Sequence, residues 1–125
     1  MQPKQHLEFV KVDMKDGWEC PAGYPHGFWQ KILASDLDER HKVGSRTRLL
    51  KIDAGAFSTE PFVHDHWEEV FVVKGDLWVG NDKEGKGGEK FVAHTYCVRP
   101  PGIAHGPFRS EKGCLLVESH YYDPQ

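Results

Sequence analysis

Cysteine is scarce in this chain, long apolar runs are missing, and charge of neither sign is gathered into blocks. Cys20, Cys97 and Cys114 are the only three cysteines, widely spaced and with no CxxC pair. An odd, dispersed set excludes a disulfide framework and fits reduced thiols acting as small core or surface residues. No stretch approaches the ~20 apolar residues that cross a bilayer, and the opening MQPKQHLEF has no secretory apolar core. A cytoplasmic protein without membrane contact is expected. Sixteen basic and nineteen acidic residues give a net charge of −3, and their scatter excludes the basic stripe of a nucleic-acid binder. Asn81 to Glu89 is rich in glycine, but no GK[ST] follows, so it reads as a hairpin tip rather than a phosphate loop. Repeats, low-complexity tracts, linkers and long amphipathic helices are also missing.

What remains is a single domain of 125 residues, long enough for a real core. Short strands are expected at Leu7–Val12, Phe28–Leu33, Arg46–Asp53, Phe57–His66, Glu69–Val73, Asp76–Gly80, Lys90–Ala93, Thr95–Arg99, Ile103–Phe108 and Cys114–Tyr122. A turn-rich aromatic loop fills Gly17–Gly27, and Ala34–Gly44 is a polar connection with room for a short helical turn. Many short strands between turn formers point to a closed or sandwiched all-β domain. Residues 1–27 would form an N-terminal strand and loop packed on a barrel of residues 28–123.

The stretch around which this is organised is Phe62 to Gly75, FVHDHWEEVFVVKG. In a strand, His64 and His66 share one face, and two imidazoles aimed the same way can grip one metal ion. Period-two alternation separates Glu69, Phe71 and Val73 from Glu68, Val70, Val72 and Lys74. A lysine prefers water, so the Lys74 face is taken as the outer one and Glu69 ranks above Glu68 as the carboxylate ligand. A β-bulge between the histidines and the strand would reverse that order. His105 follows the rigid turn Arg99-Pro100-Pro101-Gly102. Two or three histidines with one carboxylate suit a first-row divalent metal, and two histidines with one carboxylate are the usual non-haem iron(II) set.

Further positions follow from the same alternation. With Arg99 placed in solvent, His94, Tyr96 and Val98 turn inward, making His94 and Tyr96 candidate catalytic residues beside Glu69, with His94 either a proton carrier lining the cavity or a strand-end histidine at the barrel mouth. His6, His26, His41 and His120 read as surface or hydrogen-bonded structural histidines. Arg48, Arg99 and Arg109 are candidate partners for an anionic substrate, and the aromatics near the motifs are mainly core.

His64-Asp65-His66, Glu69 and Gly75 resemble the first motif of the cupins, and Pro100-x-Gly102-x-x-His105 resembles the second. The resemblance covers Phe28 to Tyr122. It implies an antiparallel jelly-roll β-barrel, a metal held by His64, His66, Glu69 and His105, and a homodimer. It departs from the family pattern in three places. Two residues rather than three or four separate His66 from Glu69, His94 stands where the second motif opens with glycine, and Arg109 stands where asparagine is usual. The chain is most similar to small acetylacetone and dihydroxyacetophenone dioxygenases, and also to the cupin half of zinc-binding anti-sigma factors. The first likeness implies an iron(II) dioxygenase cleaving a small β-dicarbonyl or aromatic ketone. Zinc, nickel or manganese in the same site would imply an isomerase, lyase or cyclase using Lewis-acid chemistry. The second likeness implies a non-catalytic sensor, which ranks lower because the N-terminal segment shows no helical pattern bearing histidine and cysteine.

Overall fold

The computed structural model describes residues 4–124. Seven strands run in chain order: β1 (Phe28–Ser35), β2 (Ser45–Ile52), β3 (Trp67–Val79), β4 (Glu89–Val92), β5 (Tyr96–Arg99), β6 (Phe108–Arg109) and β7 (Cys114–Tyr121). All pairings are antiparallel. There is no helix among the described residues, and so none long and apolar enough to cross a membrane. The expected all-β class is the one adopted.

β3 is the strand on which both halves of the sheet depend. The pairing path is β1-β2-β7-β3-β4, with β5 and β6 also bonded to β3. The first half of β3 lies between β7 and β5, and the second half pairs with β4 and β6. Between these halves the register against β7 slips at Val72/Lys74. Gly75 then takes φ +88°, where a Cβ would lie 2.0 Å from the Gly113 carbonyl oxygen. Only glycine fits so close an approach, and the bulge with its added twist redirects the strand from one set of partners to the other. Glu69–Val73 and Asp76–Gly80, expected as two strands, are therefore one bent strand.

The inward faces of β2, β7 and β3 carry the same gradient in register. At one end Ile52 lies opposite Cys114, and Leu50 and Val72 both pair with Leu116. These residues, with Phe28, Val70 and Leu77, form the buried core. Apolar side chains of this size contribute roughly 1.5–3 kcal/mol each on burial. Two and four residues further along, Arg48 faces Glu118 and Arg46 faces His120, while Val70 and Glu68 pair with the same two β7 residues. Alternation thus delivers Arg48, Glu118, His120 and Glu68 to one end of the interior, where each is 4% exposed or less.

Several local expectations change. Leu7–Val12 forms no strand, and its apolar side chains stay outside, Phe9 fully so. The loop before β1 does pack on the barrel: Tyr24 stacks on Phe62 with ring centroids 4.6 Å apart. Ala34–Gly44 holds a turn closed by an Asp38–Val43 bridge rather than a helical turn. Phe57–His66 contributes only isolated bridges at Phe57 and Phe62, and Ile103–Phe108 shrinks to a bridge at His105 before β6.

Candidate metal centre

Backbone pairing brings the two histidine motifs together. Phe62 and His105 exchange N–H···O bonds of 2.7 and 2.9 Å, and the Gly102 N–H donates to the His64 carbonyl at 2.8 Å. The Pro100-Pro101-Gly102 turn is thereby docked against the segment that carries His64, and His105 follows it into the interior. Glu68, at the start of β3, faces both.

The ligand atoms of His64, Glu68 and His105 all lie within 4.8 Å of one another. Glu68 Oε1 is 3.2 Å from His105 Nε2, whereas Glu68 Oε2 is 3.8 Å from His64 Nε2, too long for a hydrogen bond. His64 Nε2 is buried and has no partner. An unsatisfied buried polar atom costs about 1–3 kcal/mol, and in the tautomer with the proton on Nδ1 this nitrogen offers a bare lone pair to an electrophile. Protonation is opposed by burial, which takes the His64 imidazole down to about 4 against the pull of Glu68. Burial also lowers His66 and His105. Neutral imidazoles beside an ionised carboxylate are the donor set that a divalent cation requires, and the residues fit one.

Glu68 stays ionised in spite of its surroundings. Burial and the neighbouring Glu118 both favour the neutral acid, but the hydrogen bond from His120 and the attraction of His120 and His105 outweigh them, leaving its pKa below the ordinary carboxylate value. The His120 ring nitrogen Nε2 lies 2.9 Å from Glu68 Oε2. Its Nδ1 accepts from Arg46 Nε and Nη2 at 3.0 and 2.9 Å. Two guanidinium donors on Nδ1 put the ring's proton on Nε2, aimed at the carboxylate. Behind it, Arg48 forms a fully buried ion pair with Glu118 at 2.8 Å and donates to Gln30 and Tyr24. Burial would raise the Glu118 carboxyl, yet Arg48 and His120 hold it down at about 2. Glu68, Glu118 and His120 also lie close enough to converge on an ion. Arg46 and Arg48 already saturate that group, so the orphaned nitrogen singles out the first one.

The structure corrects three of the residues expected at the site. Glu69 lies on the outer face, its carboxylate accepting from the Tyr96 and Tyr121 hydroxyls at 2.5 and 2.6 Å. Lys74 does face solvent as assumed, but the bulge at Val73 puts Val73 and Lys74 outside in succession, and parity counted back from Lys74 inverts. Tyr96, bonded to Glu69, is more than half exposed. The inward residues of β5 are Cys97 and Arg99, because Arg99 is held at 2.9 Å by Glu68 rather than by water. His94 sits exposed in the turn before β5 with φ +73°. This left-handed conformation explains why the second cupin motif places glycine there. His66 is buried and stacks on His64 at 4.7 Å, but its Nδ1 faces the Trp67 carbonyl and its nitrogens fall outside the converging group.

His120 is the residue that reading the sequence missed. Its available signal was the alternation Leu116, Glu118, His120 along β7, which sets two polar residues on a core-facing parity.

Beside His105 lies a cavity of about 200 Å³, bordered by Glu68, Glu118, His105 and Arg99 at its polar end and by Phe62, Val70, Val72, Leu77 and Phe108 beyond. It is also bordered by Tyr96, although the hydroxyl of that residue is turned out to Glu69. It is smaller than the roughly 300–1,000 Å³ of most ligand pockets, so it suits a small molecule.

Solved structures share this fold at low identity. A crystal structure of an RmlC-like cupin from Shewanella frigidimarina aligns at TM-score 0.66 and 17% identity, covering 98% of this chain and 96% of that one. An acetylacetone dioxygenase from Acinetobacter johnsonii aligns at TM-score 0.68 and 21% identity, over 96% and 77% of the two chains. The cupin domain of an XRE family transcriptional regulator from Enterobacter cloacae gives 0.55 and 19%, over 78% and 99%. No curated protein matches the sequence. The architecture is the cupin jelly roll, and because the model of the ChrR cupin-like domain matches residues 14–122, the chain belongs to that family.

Proposed function

We propose that the protein is a metal-dependent cupin enzyme, and that with iron(II) bound it is a dioxygenase cleaving a small β-dicarbonyl or aromatic ketone. The observation that carries this reading is the buried His64 Nε2, without a hydrogen-bond partner, beside Glu68 and His105, which themselves border an apolar cavity. His64, Glu68 and His105 would hold the ion, with His66 alongside. The ion would supply a Lewis acid for the oxygens of a dicarbonyl substrate and a redox centre for dioxygen. The rest falls to the chain. His120, locked by Arg46, presents its Nε2–H to one oxygen of Glu68 and fixes that carboxylate's orientation, the kind of support that outer partners give to metal ligands. Phe62, Phe108 and Leu77 receive the apolar body of a substrate and keep water from the reacting centre. The likeness to an acetylacetone dioxygenase supports this choice of chemistry at the level of the fold.

A second reading, a ligand-sensing cupin without turnover, is favoured by the regulator domain that shares the fold. Elemental analysis of protein purified without added metal, followed by oxygen uptake with dicarbonyls and phenolic ketones, separates the two. Near-stoichiometric iron that is lost in His105→Ala, together with oxygen consumption, is the expected result. Iron without turnover on any panel member would favour the sensor. Bound zinc, nickel or manganese with oxygen-independent turnover would favour a Lewis-acid isomerase or lyase. A wild-type protein that takes up no metal even after reconstitution would defeat the proposal.

A further inference from the structure

We propose that the molecule admitted to this cavity carries a carboxylate, and that Arg99 pairs with it. The inference rests on the metal-dependent reading above and adds the substrate's charge to it. Two guanidiniums and two carboxylates face the interior at its polar end. Arg48 and Glu118 neutralise each other at 2.8 Å, and Arg99 and Glu68 do so at 2.9 Å. Arg46 lies at the rim, part-exposed, with its Nε and Nη2 donating to His120 Nδ1, which keeps that ring neutral. The buried set is therefore balanced only as long as no cation is added.

A divalent ion at His64, Glu68 and His105 leaves two uncompensated positive charges against walls of phenylalanine, valine and leucine. Uncompensated charge in such surroundings is expensive, and no further carboxylate among the described residues lines the cavity to offset it. An anionic ligand cancels one of the two, and the side chain placed to receive it is Arg99. Its stem rises from the inward face of β5, its guanidinium carbon lies 5.9 Å from the Phe108 ring centroid, and its side chain keeps 19% exposure beside the cavity. Glu68 does not depend on Arg99 alone: His105 lies 3.2 Å from the same oxygen, and His120 holds the other. A guanidinium whose partner is shared in this way can turn one edge to a second carboxylate, for which its planar fork is the matching shape. The volume limits the remainder of the ligand to a short apolar body.

The test is calorimetric and needs no turnover. Zinc-loaded protein would be titrated at pH 7 with acetoacetate and with methyl acetoacetate, which differ by the charge. Wild type is expected to prefer the acid by about tenfold or more. In Arg99→Leu the acid-to-ester preference is expected to fall by a similar factor at unchanged zinc content. Arg99→Gln, which can still donate to Glu68, serves the same purpose if the leucine variant fails to fold. Equal binding of acid and ester to wild type, binding of neither, or a preference that survives in both variants would overturn the proposal while leaving the metal site standing. Failure to load metal would defeat the functional reading and this inference together.

Discussion

Glu68 and Glu69 are neighbours of identical chemistry on β3, and the fold gives them opposite circumstances. Glu68 is buried among His64, His105, His120 and Arg99, where the hydrogen bond from His120 and the attraction of His120 and His105 must overcome burial to keep it ionised. Glu69 faces outward beneath two tyrosine hydroxyls, which lower its pKa with little opposition from burial, and its neighbours along that face, Phe71 and Val73, are exposed. Inside, the charges of Glu68 and Arg99 and of Arg48 and Glu118 answer one another at hydrogen-bond distance, so removing one leaves its partner stranded. Outside, water can take over the role of any missing partner. The same side chain is a component of a network on one face and a solvated surface group on the other.

Three experiments bear on that contrast. The largest effect should come from Arg48→Met, which leaves Glu118 buried without its cation. Stability measured by urea unfolding should drop by about 3–5 kcal/mol, and a loss below 1 kcal/mol would mean that water reaches the pair and the inside is less dry than described. Glu68→Gln against Glu69→Gln comes next. Metal affinity should fall in the first by at least the roughly 10–100-fold that accompanies loss of an outer partner, and should hold within about twofold in the second; the reverse order would restore the parity argument that the bulge defeats. The smallest effect belongs to His94→Gly. Relieving a left-handed non-glycine residue should stabilise the fold by up to about 1 kcal/mol without altering metal content. A loss of stability there would show that its stacking on Phe71, at 6.0 Å, matters more than its backbone strain.

Much of this was legible in the chain. His64 and the Pro-Pro-Gly turn ahead of His105 located the centre, the turn because its stiffness is a local signal. The fold class followed from turn-rich spacing in the same way. The strand pleat expected to align His66 with His64 is not formed, since residues 63–66 lie outside any strand and His66 falls outside the converging group. The errors arose where parity had to be carried along a strand from an anchor. Lys74 was a sound anchor for its own position, but a single extra residue at Val73 lies between it and the glutamates, and no residue type announces a bulge. Arg99 was an unsound anchor, since its inward position depends on Glu68, a residue 31 positions away. His120 was passed over for a related reason. Its partners Arg46 and Glu68 come from two other strands and meet it only when β2, β7 and β3 are in register.

That arrangement also governs how the protein can be made. β7 lies between β2 and β3 in the larger sheet, and it is the last of the seven strands to be synthesised. Until residues 114–121 have cleared the ribosome, β2 and the first half of β3 lack their shared neighbour, Arg48 lacks Glu118, and Glu68 lacks His120. The nascent chain must therefore emerge with its sheet open and Arg48 without its carboxylate, and closure must await pairings distant in sequence, which fold slowly. The centre cannot close before β7 has paired with both β2 and β3.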